Sequence, residues 1–80
     1  MNTQKAVQER IRQLCDERDI TPNALSYLAG VPQATIKSIL NDETHNPGIV
    51  TIKKLSDGFS ISLCDFFDTD IFRTLEQEIK

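Results

Sequence analysis

Residues 21–41, TPNALSYLAGVPQATIKSILN, predict two short helices joined by a tight turn. Thr21 suits the cap of the first helix, because its hydroxyl can accept a hydrogen bond from a free amide of the first turn, and Pro22 suits the first helical position. Gly30 ends that helix where a positive φ angle costs little. Apolar residues recur at helical spacing and predict the buried faces. They are Leu25, Leu28 and Ala29 in the first helix and Ile36, Ile39 and Leu40 in the second.

The opposite face of the second helix carries Gln33, Ala34, Lys37, Ser38 and Asn41. Most of these side chains are short and uncharged, and most can donate or accept hydrogen bonds. A helix that buries one face and presents such a set on the other suits the reading of base edges in a DNA major groove. The stretch therefore predicts a helix-turn-helix.

Length and composition predict one small helical domain. The chain has 80 residues, of which 39% are hydrophobic, with only three Gly and three Pro. This leaves no room for a second, effector-binding domain. No apolar run approaches the roughly 20 residues of a membrane span, and the N-terminal residues contain no signal-peptide core. We therefore expect a soluble, cytoplasmic protein without membrane association or a small-molecule effector domain.

No pattern in the sequence indicates a metal site, a cofactor or catalysis. Cys15 and Cys64 lie far apart without Cys/His spacing around them, and His45 is the only histidine. We expect both cysteines to be free thiols. The sequence also lacks a Gly-rich phosphate loop and paired carboxylates in an apolar setting. We therefore expect a protein that is not an enzyme.

The formal charge is −3, but it is distributed unevenly. Residues 1–41 contain five basic residues against four acidic ones, whereas residues 42–80 contain four basic residues against eight acidic ones. Phosphate binding depends on the local field rather than on the net charge. The acidic excess lies away from the helix that would read DNA.

Helical periodicity extends over the rest of the chain. A helix over residues 3–18 would bury Val7, Ile11 and Leu14, whereas we expect Arg10 and Arg12 to face solvent or acidic partners. No segment alternates with the period of a β-strand over a useful length. The sequence therefore predicts an all-α fold.

Two further helices follow the helix-turn-helix. We expect one over residues 49–59, with Gly58 as a close-packing position or an early terminator. Ser62 would cap a short fifth helix. The apolar residues assigned to the core from this region are Ile49, Ile52, Leu55, Phe59, Leu63, Phe66 and Phe67.

The last segment, residues 68–80, is predicted as an extra C-terminal helix. Its apolar stripe is Ile71, Phe72, Leu75 and Ile79. Such a stripe would be a large exposed patch if it were unpartnered. We therefore divide the chain into a helix-turn-helix domain over residues 1–67 and a helix over residues 68–80 that packs on the core or dimerises.

Residues 10–67 resemble the XRE-type, phage-repressor-like (lambda-repressor-like) helix-turn-helix domain family of bacteria and their phages. The resemblance rests on residues 9–41, ERIRQLCDERDITPNALSYLAGVPQATIKSILN, and on residues 46–67, NPGIVTIKKLSDGFSISLCDFF. Gly30-Val31 lies at the family's turn, and Ile36 lies where the family anchors its reading helix. The resemblance implies a compact five-helix bundle that binds DNA, commonly as a two-fold dimer.

The resemblance also implies the contacts with DNA. Gln33, Ala34 and Ser38 lie where the family contacts bases. Positions associated with the DNA backbone are Asn23, Thr35, Lys37, Asn41, Thr44, His45 and Asn46. The sequence departs from the family at Pro22, where a phosphate-binding Gln is common, and Asn23 is the possible substitute. The loop after the reading helix, often basic in the family, begins here with Asp42-Glu43.

Two functions from different classes remain open at this point. The first is a small transcriptional regulator that binds double-stranded DNA as a homodimer on a pseudo-palindromic site, with residues 33–41 in the major groove. Half-sites would then lie roughly 34 Å apart. The alternative is a protein-interaction module, similar to an antitoxin or an anti-repressor, that uses the same bundle and the acidic C-terminal half.

Overall fold

The computed structural model describes residues 1–43 and 46–79. Within these ranges the chain forms helices and no strand. The helices are α1 (Thr3–Arg18), α2 (Pro22–Ala29), α3 (Gln33–Leu40), α4 (Ile49–Gly58), α5 (Leu63–Phe67) and α6 (Asp70–Arg73). The predicted all-α fold and its helix-turn-helix, α2 and α3, are confirmed. None of the helices in the described ranges is long and apolar enough to cross a membrane.

Side chains cap the helices where the sequence predicts them. The Thr21 hydroxyl accepts a hydrogen bond from the Ala24 amide at 3.1 Å, and the Ser62 hydroxyl accepts one from the Asp65 amide at 3.0 Å. Each cap satisfies an amide that has no partner within its helix. These local bonds fix where α2 and α5 begin.

Four helices end in the same backbone motif. A residue with positive φ stops the helix, and the N–H of the next residue donates to the carbonyl five positions back, as in a Schellman motif. The left-handed residues are Asp19, Gly30, Asp42 and Ser60, with φ of 52°, 65°, 67° and 60°. The donors that follow them are Ile20, Val31, Glu43 and Ile61, at 2.9, 3.2, 2.9 and 3.0 Å. The chain therefore turns sharply after each of these helices.

One hydrophobic core joins the first five helices. Its buried members are Val7, Ile11, Leu14, Cys15, Leu25, Val31, Ile36, Ile39, Ile52, Leu55, Phe59 and Phe66. Two predicted members are wrong, because Leu28 and Ile49 are 58% and 59% exposed. Leu28 falls outside the stripe of α2 that contains Leu25 and Ala29, and Ile49 is the first residue of α4.

The contact between α2 and α4 depends on Gly58. A Cβ at this position would lie 2.9 Å from the Ala29 Cβ and 3.0 Å from the Ala29 Cα and N. The two helices therefore approach more closely than any side chain at residue 58 would allow. This confirms the prediction of a close-packing glycine.

Arg10 is 8% exposed, which contradicts its predicted solvent-facing position. Its Nε donates to the Phe66 carbonyl at 2.7 Å, and a terminal nitrogen donates to the Asp65 carbonyl at 2.8 Å. Both acceptors belong to the last turn of α5, where the Asp65 carbonyl also accepts from the Asp68 N–H at 3.3 Å. Arg10 supplies a donor to the Phe66 carbonyl, which lies too close to the helix end for a full set of helical partners. A cation at the end of a helix also interacts favourably with the helix dipole. Arg10 therefore connects α1 to α5.

The C-terminal helix is shorter than predicted. It is limited to one turn, α6, and residues 74–79 are not helical. Phe72 packs against Phe67, with ring centroids 4.9 Å apart, whereas Ile79 is exposed. A helix of the predicted length is marginal unless tertiary contacts stabilise it. Beyond Phe72, Leu75 is half-buried and the Glu78 carboxylate accepts a hydrogen bond from the Thr3 hydroxyl at 3.1 Å, but the backbone there is not helical. The expected continuous stripe to Ile79 is therefore wrong.

The two thiols differ in accessibility. Cys15 is buried and Cys64 is exposed, and both are free. Burial, and secondarily the charge of Asp16, raises the pKa of the Cys15 thiol, so less of the reactive thiolate exists at a given pH. At pH 8 we expect iodoacetamide to alkylate Cys64 at least roughly tenfold faster than Cys15. Mass spectrometry of the timed reaction measures both rates. Equal rates in the folded protein would contradict the buried position of Cys15, and 6 M urea should abolish the difference.

Candidate nucleic-acid interface

The outer face of α3 is set by the residues that α3 buries. Ile36 and Ile39 are each 1% exposed and face the core. Helical geometry then directs Gln33, Ala34 and Lys37 outward, and all three are exposed. Within the described residues, the Gln33 and Lys37 side chains make no hydrogen bond or ion pair. Their polar groups are therefore available to a ligand.

Five of the predicted DNA-contacting residues line one shallow groove. They are Asn23 from α2 and Gln33, Ala34, Lys37 and Asn41 from α3. Pro22 also lines it, at the N-terminus of α2, so the groove runs along both helices of the helix-turn-helix. Asn23, predicted to substitute for the phosphate-binding Gln that Pro22 replaces, is exposed.

The other predicted site residues lie outside this groove. Thr35 is half-buried, and Ser38 is half-buried with its hydroxyl 3.4 Å from the Glu43 Oε2. Asn46 is exposed and lines a different cavity, together with the N-terminal residues of α1. Thr44 and His45 lie outside the described residues.

Asp42 attaches the end of α3 to α1. Its carboxylate accepts hydrogen bonds from the Gln4 and Gln8 side-chain amides, each at 2.7 Å, and from the Lys5 Nζ at 2.6 Å. Arg12 adds a bond from its guanidinium to the Leu40 carbonyl at 2.9 Å. The C-terminal end of α3 is therefore held on α1, the longest of the described helices. Sequence reasoning missed this role of Asp42, since its partners lie at least 34 residues away.

The carboxylates of Asp42 and Glu43, the acidic pair after α3, contact different parts of the fold. The Asp42 carboxylate contacts α1 and is compensated by Lys5, whereas the Glu43 carboxylate lies beside Ser38. Only one of the two charges is therefore placed next to the outer face of α3. No group of His, Cys, Asp or Glu side chains within residues 1–43 and 46–79 is arranged to hold a metal ion.

Comparisons with known proteins agree with this geometry. Residues 10–70 match the family model of the Cro/C1-type HTH DNA-binding domain. The prophage Lp1 protein 11 has a similar structure, with a TM-score of 0.80 and 30% identity over 94% of this chain and 100% of that chain. An HTH_3 family transcriptional regulator from Vibrio cholerae has a TM-score of 0.76 and 26% identity. The match covers 85% of this chain and 38% of the Vibrio cholerae chain. No curated protein matches the sequence significantly.

Proposed function

Because the chain belongs to the Cro/C1-type helix-turn-helix DNA-binding domain family, we propose that it is a transcriptional regulator that binds specific sequences in double-stranded DNA. In this proposal α3 enters the major groove of DNA with Gln33 and Ala34 facing the bases. The other polar residues that line the protein groove along α2 and α3 contact the backbone of one strand. The observation that carries the proposal is the outer face of α3, where Gln33 and Lys37 are exposed and have no partner among the described residues.

The chemistry of these side chains suggests which of them contact bases and which contact phosphates. The Gln33 amide matches the N6 and N7 edge of adenine, whose bidentate recognition contributes roughly 1–3 kcal/mol of discrimination. Ala34 is small enough for close approach and can contact a thymine methyl group. The Lys37 ammonium acts as a flexible point charge, which suits a phosphate. Asn23 and Asn41, which also line the groove, would contact phosphates as well.

We also propose that the protein acts as a homodimer on a pseudo-palindromic site. One α3 reads only a few base pairs, and two copies related by a two-fold axis double the contacts. The half-sites would lie roughly 34 Å apart, one helical turn of DNA. Regulation would follow from occlusion or recruitment at a promoter.

Selection from randomised duplex DNA, followed by sequencing, tests the proposal. We expect the wild-type protein to enrich a two-fold symmetric motif. Gln33→Ala should relax the preference at one position of each half-site, and Lys37→Gln should weaken binding to all sequences about equally. Lys37→Gln should also reduce the slope of log K against log salt by about one unit per protomer.

Arg73→Gln is the matched control for the loss of one positive charge. Arg73 lies in α6 and pairs with Asp68 and Asp70, outside the groove. Its replacement should leave the motif and the salt slope unchanged. If the wild-type protein enriches no sequence even at low salt, the DNA-binding proposal is wrong. The acidic residues 42–80 would then be tested for a protein partner.

A further inference from the structure

The end of α3 differs from the ends of the three helices that share its backbone motif. After α1, α2 and α4, the residue that follows the left-handed position is apolar: Ile20, Val31 or Ile61. Each of these packs on the hydrophobic core. At α3 the equivalent residue is Glu43, which is exposed. The motif usually carries a hydrophobic contact here, so Glu43 adds nothing to the core.

The serine opposite Glu43 is also used differently. Ser26 and Ser56, which occupy the same place in α2 and α4, donate their hydroxyls to carbonyls of their own helices at 2.6 and 2.9 Å. The Ser38 hydroxyl instead points to the Glu43 Oε2 at 3.4 Å. Because this contact is long, it leaves both groups available to a better-placed partner.

The position of Glu43 is fixed by its surroundings. Its N–H donates to the Ser38 carbonyl at 2.9 Å. The preceding residue, Asp42, is held on α1 by donors from Gln8 and Lys5. The backbone at Glu43 is therefore held on its N-terminal side, and the Glu43 carboxylate lies next to the C-terminal half of the outer face of α3. Because the backbone is already ordered on this side, binding of a ligand would restrict mainly the side-chain rotamers of Glu43.

We propose that Glu43 is a specificity-determining residue that selects a cytosine in the operator, with Ser38 as its neighbour in the same contact. The inference rests on the proposed function, because it requires α3 to enter the major groove. In that groove the cytosine N4 amino group is a donor, and a carboxylate accepts from it. Guanine presents N7 and O6, both acceptors, which a carboxylate repels. Glu43 also repels phosphates, so it disfavours non-specific binding.

The test is selection and sequencing with the wild-type protein, Glu43→Gln and Ser38→Ala. We expect the wild-type motif to contain a cytosine at a position other than the one altered by Gln33→Ala. In Glu43→Gln this preference should fall roughly tenfold and shift toward adenine, which an amide recognises. Binding to unrelated DNA should increase. Ser38→Ala should weaken the same cytosine preference without affecting other positions.

Glu17→Gln is the matched control. It makes the same chemical change at an exposed residue near the other end of α1, and it should leave the motif unaltered. If Glu43→Gln enriches the unaltered wild-type motif, as Glu17→Gln should, or changes all positions of the motif equally, the inference is wrong while the proposed function stands. If the wild-type protein enriches no motif, both are wrong.

Discussion

Replacing Arg10 with Met is expected to lower the free energy of unfolding by about 3 kcal/mol. The guanidinium of this buried residue donates to the Phe66 and Asp65 carbonyls at 2.7 and 2.8 Å. Methionine retains much of the apolar stem but leaves the buried Phe66 carbonyl without this donor. Hydrogen bonds from a charged group contribute about 1.5–3 kcal/mol, and an unsatisfied buried acceptor adds its desolvation cost. For a domain of this size, the melting temperature should fall by roughly 15 °C.

Arg12→Met is the matched control for this experiment. Arg12 lies two residues away on the same helix and donates to the Leu40 carbonyl, but it is exposed. Water can replace its hydrogen bond, so we expect a loss of less than about 1 kcal/mol. Urea denaturation followed by circular dichroism measures both variants. Equal stability of the two would show that Arg10 does not hold α5.

The second large effect is expected at Gly58. Gly58→Ala should destabilise the protein by about 2–3 kcal/mol, although alanine is favoured over glycine by about 1 kcal/mol in a helix interior. The added Cβ would lie 2.9–3.0 Å from atoms of Ala29, two of which belong to the backbone. These atoms cannot rotate away, so α2 and α4 must separate. Separation would displace the α2 end of the groove and weaken binding to DNA.

Gly48→Ala controls for the loss of a glycine in general. Gly48 precedes α4, its φ is −65°, and a Cβ there meets nothing within 4 Å. We expect Gly48→Ala to change the free energy of unfolding by no more than about 0.5 kcal/mol. Adding Ala29→Gly to Gly58→Ala should restore only part of the loss, because the backbone contacts at 3.0 Å remain. A Gly58→Ala variant as stable as Gly48→Ala would contradict the close approach of the two helices.

Arg10 and Gly58 would affect the proposed DNA binding through helix packing and not through contact with DNA. Neither residue lines the groove. Arg10 joins α1 to α5, and Gly58 sets the distance between α4 and α2. The DNA affinity of Arg10→Met should therefore decline in proportion to the folded fraction, whereas that of Gly58→Ala should decline further, because the α2 end of the groove is displaced. Gln33→Ala, in contrast, should leave the stability nearly unchanged, because Gln33 is exposed and bonded to nothing described.

Features that depend on neighbouring residues could be predicted from the sequence. The Thr21 and Ser62 caps, the left-handed Gly30 and the bounds of α1 are local properties, since each involves residues within about one helical turn. Spacing along a helix also predicts which residues share a face. This is why the outer face of α3, with Gln33, could be assigned before the fold was known.

Which residues are buried and which charges are paired was decided by the tertiary structure. Arg10 is buried where it donates to carbonyls 55 and 56 residues away, and Asp42 contacts α1 through partners 34 to 38 residues away. Periodicity also assigned Leu28 to the core, although α2 presents a different stripe to α4. Sequence spacing determines which residues share a helix face. Which face is covered, and which charge is compensated, depends on contacts between segments that are distant in the chain.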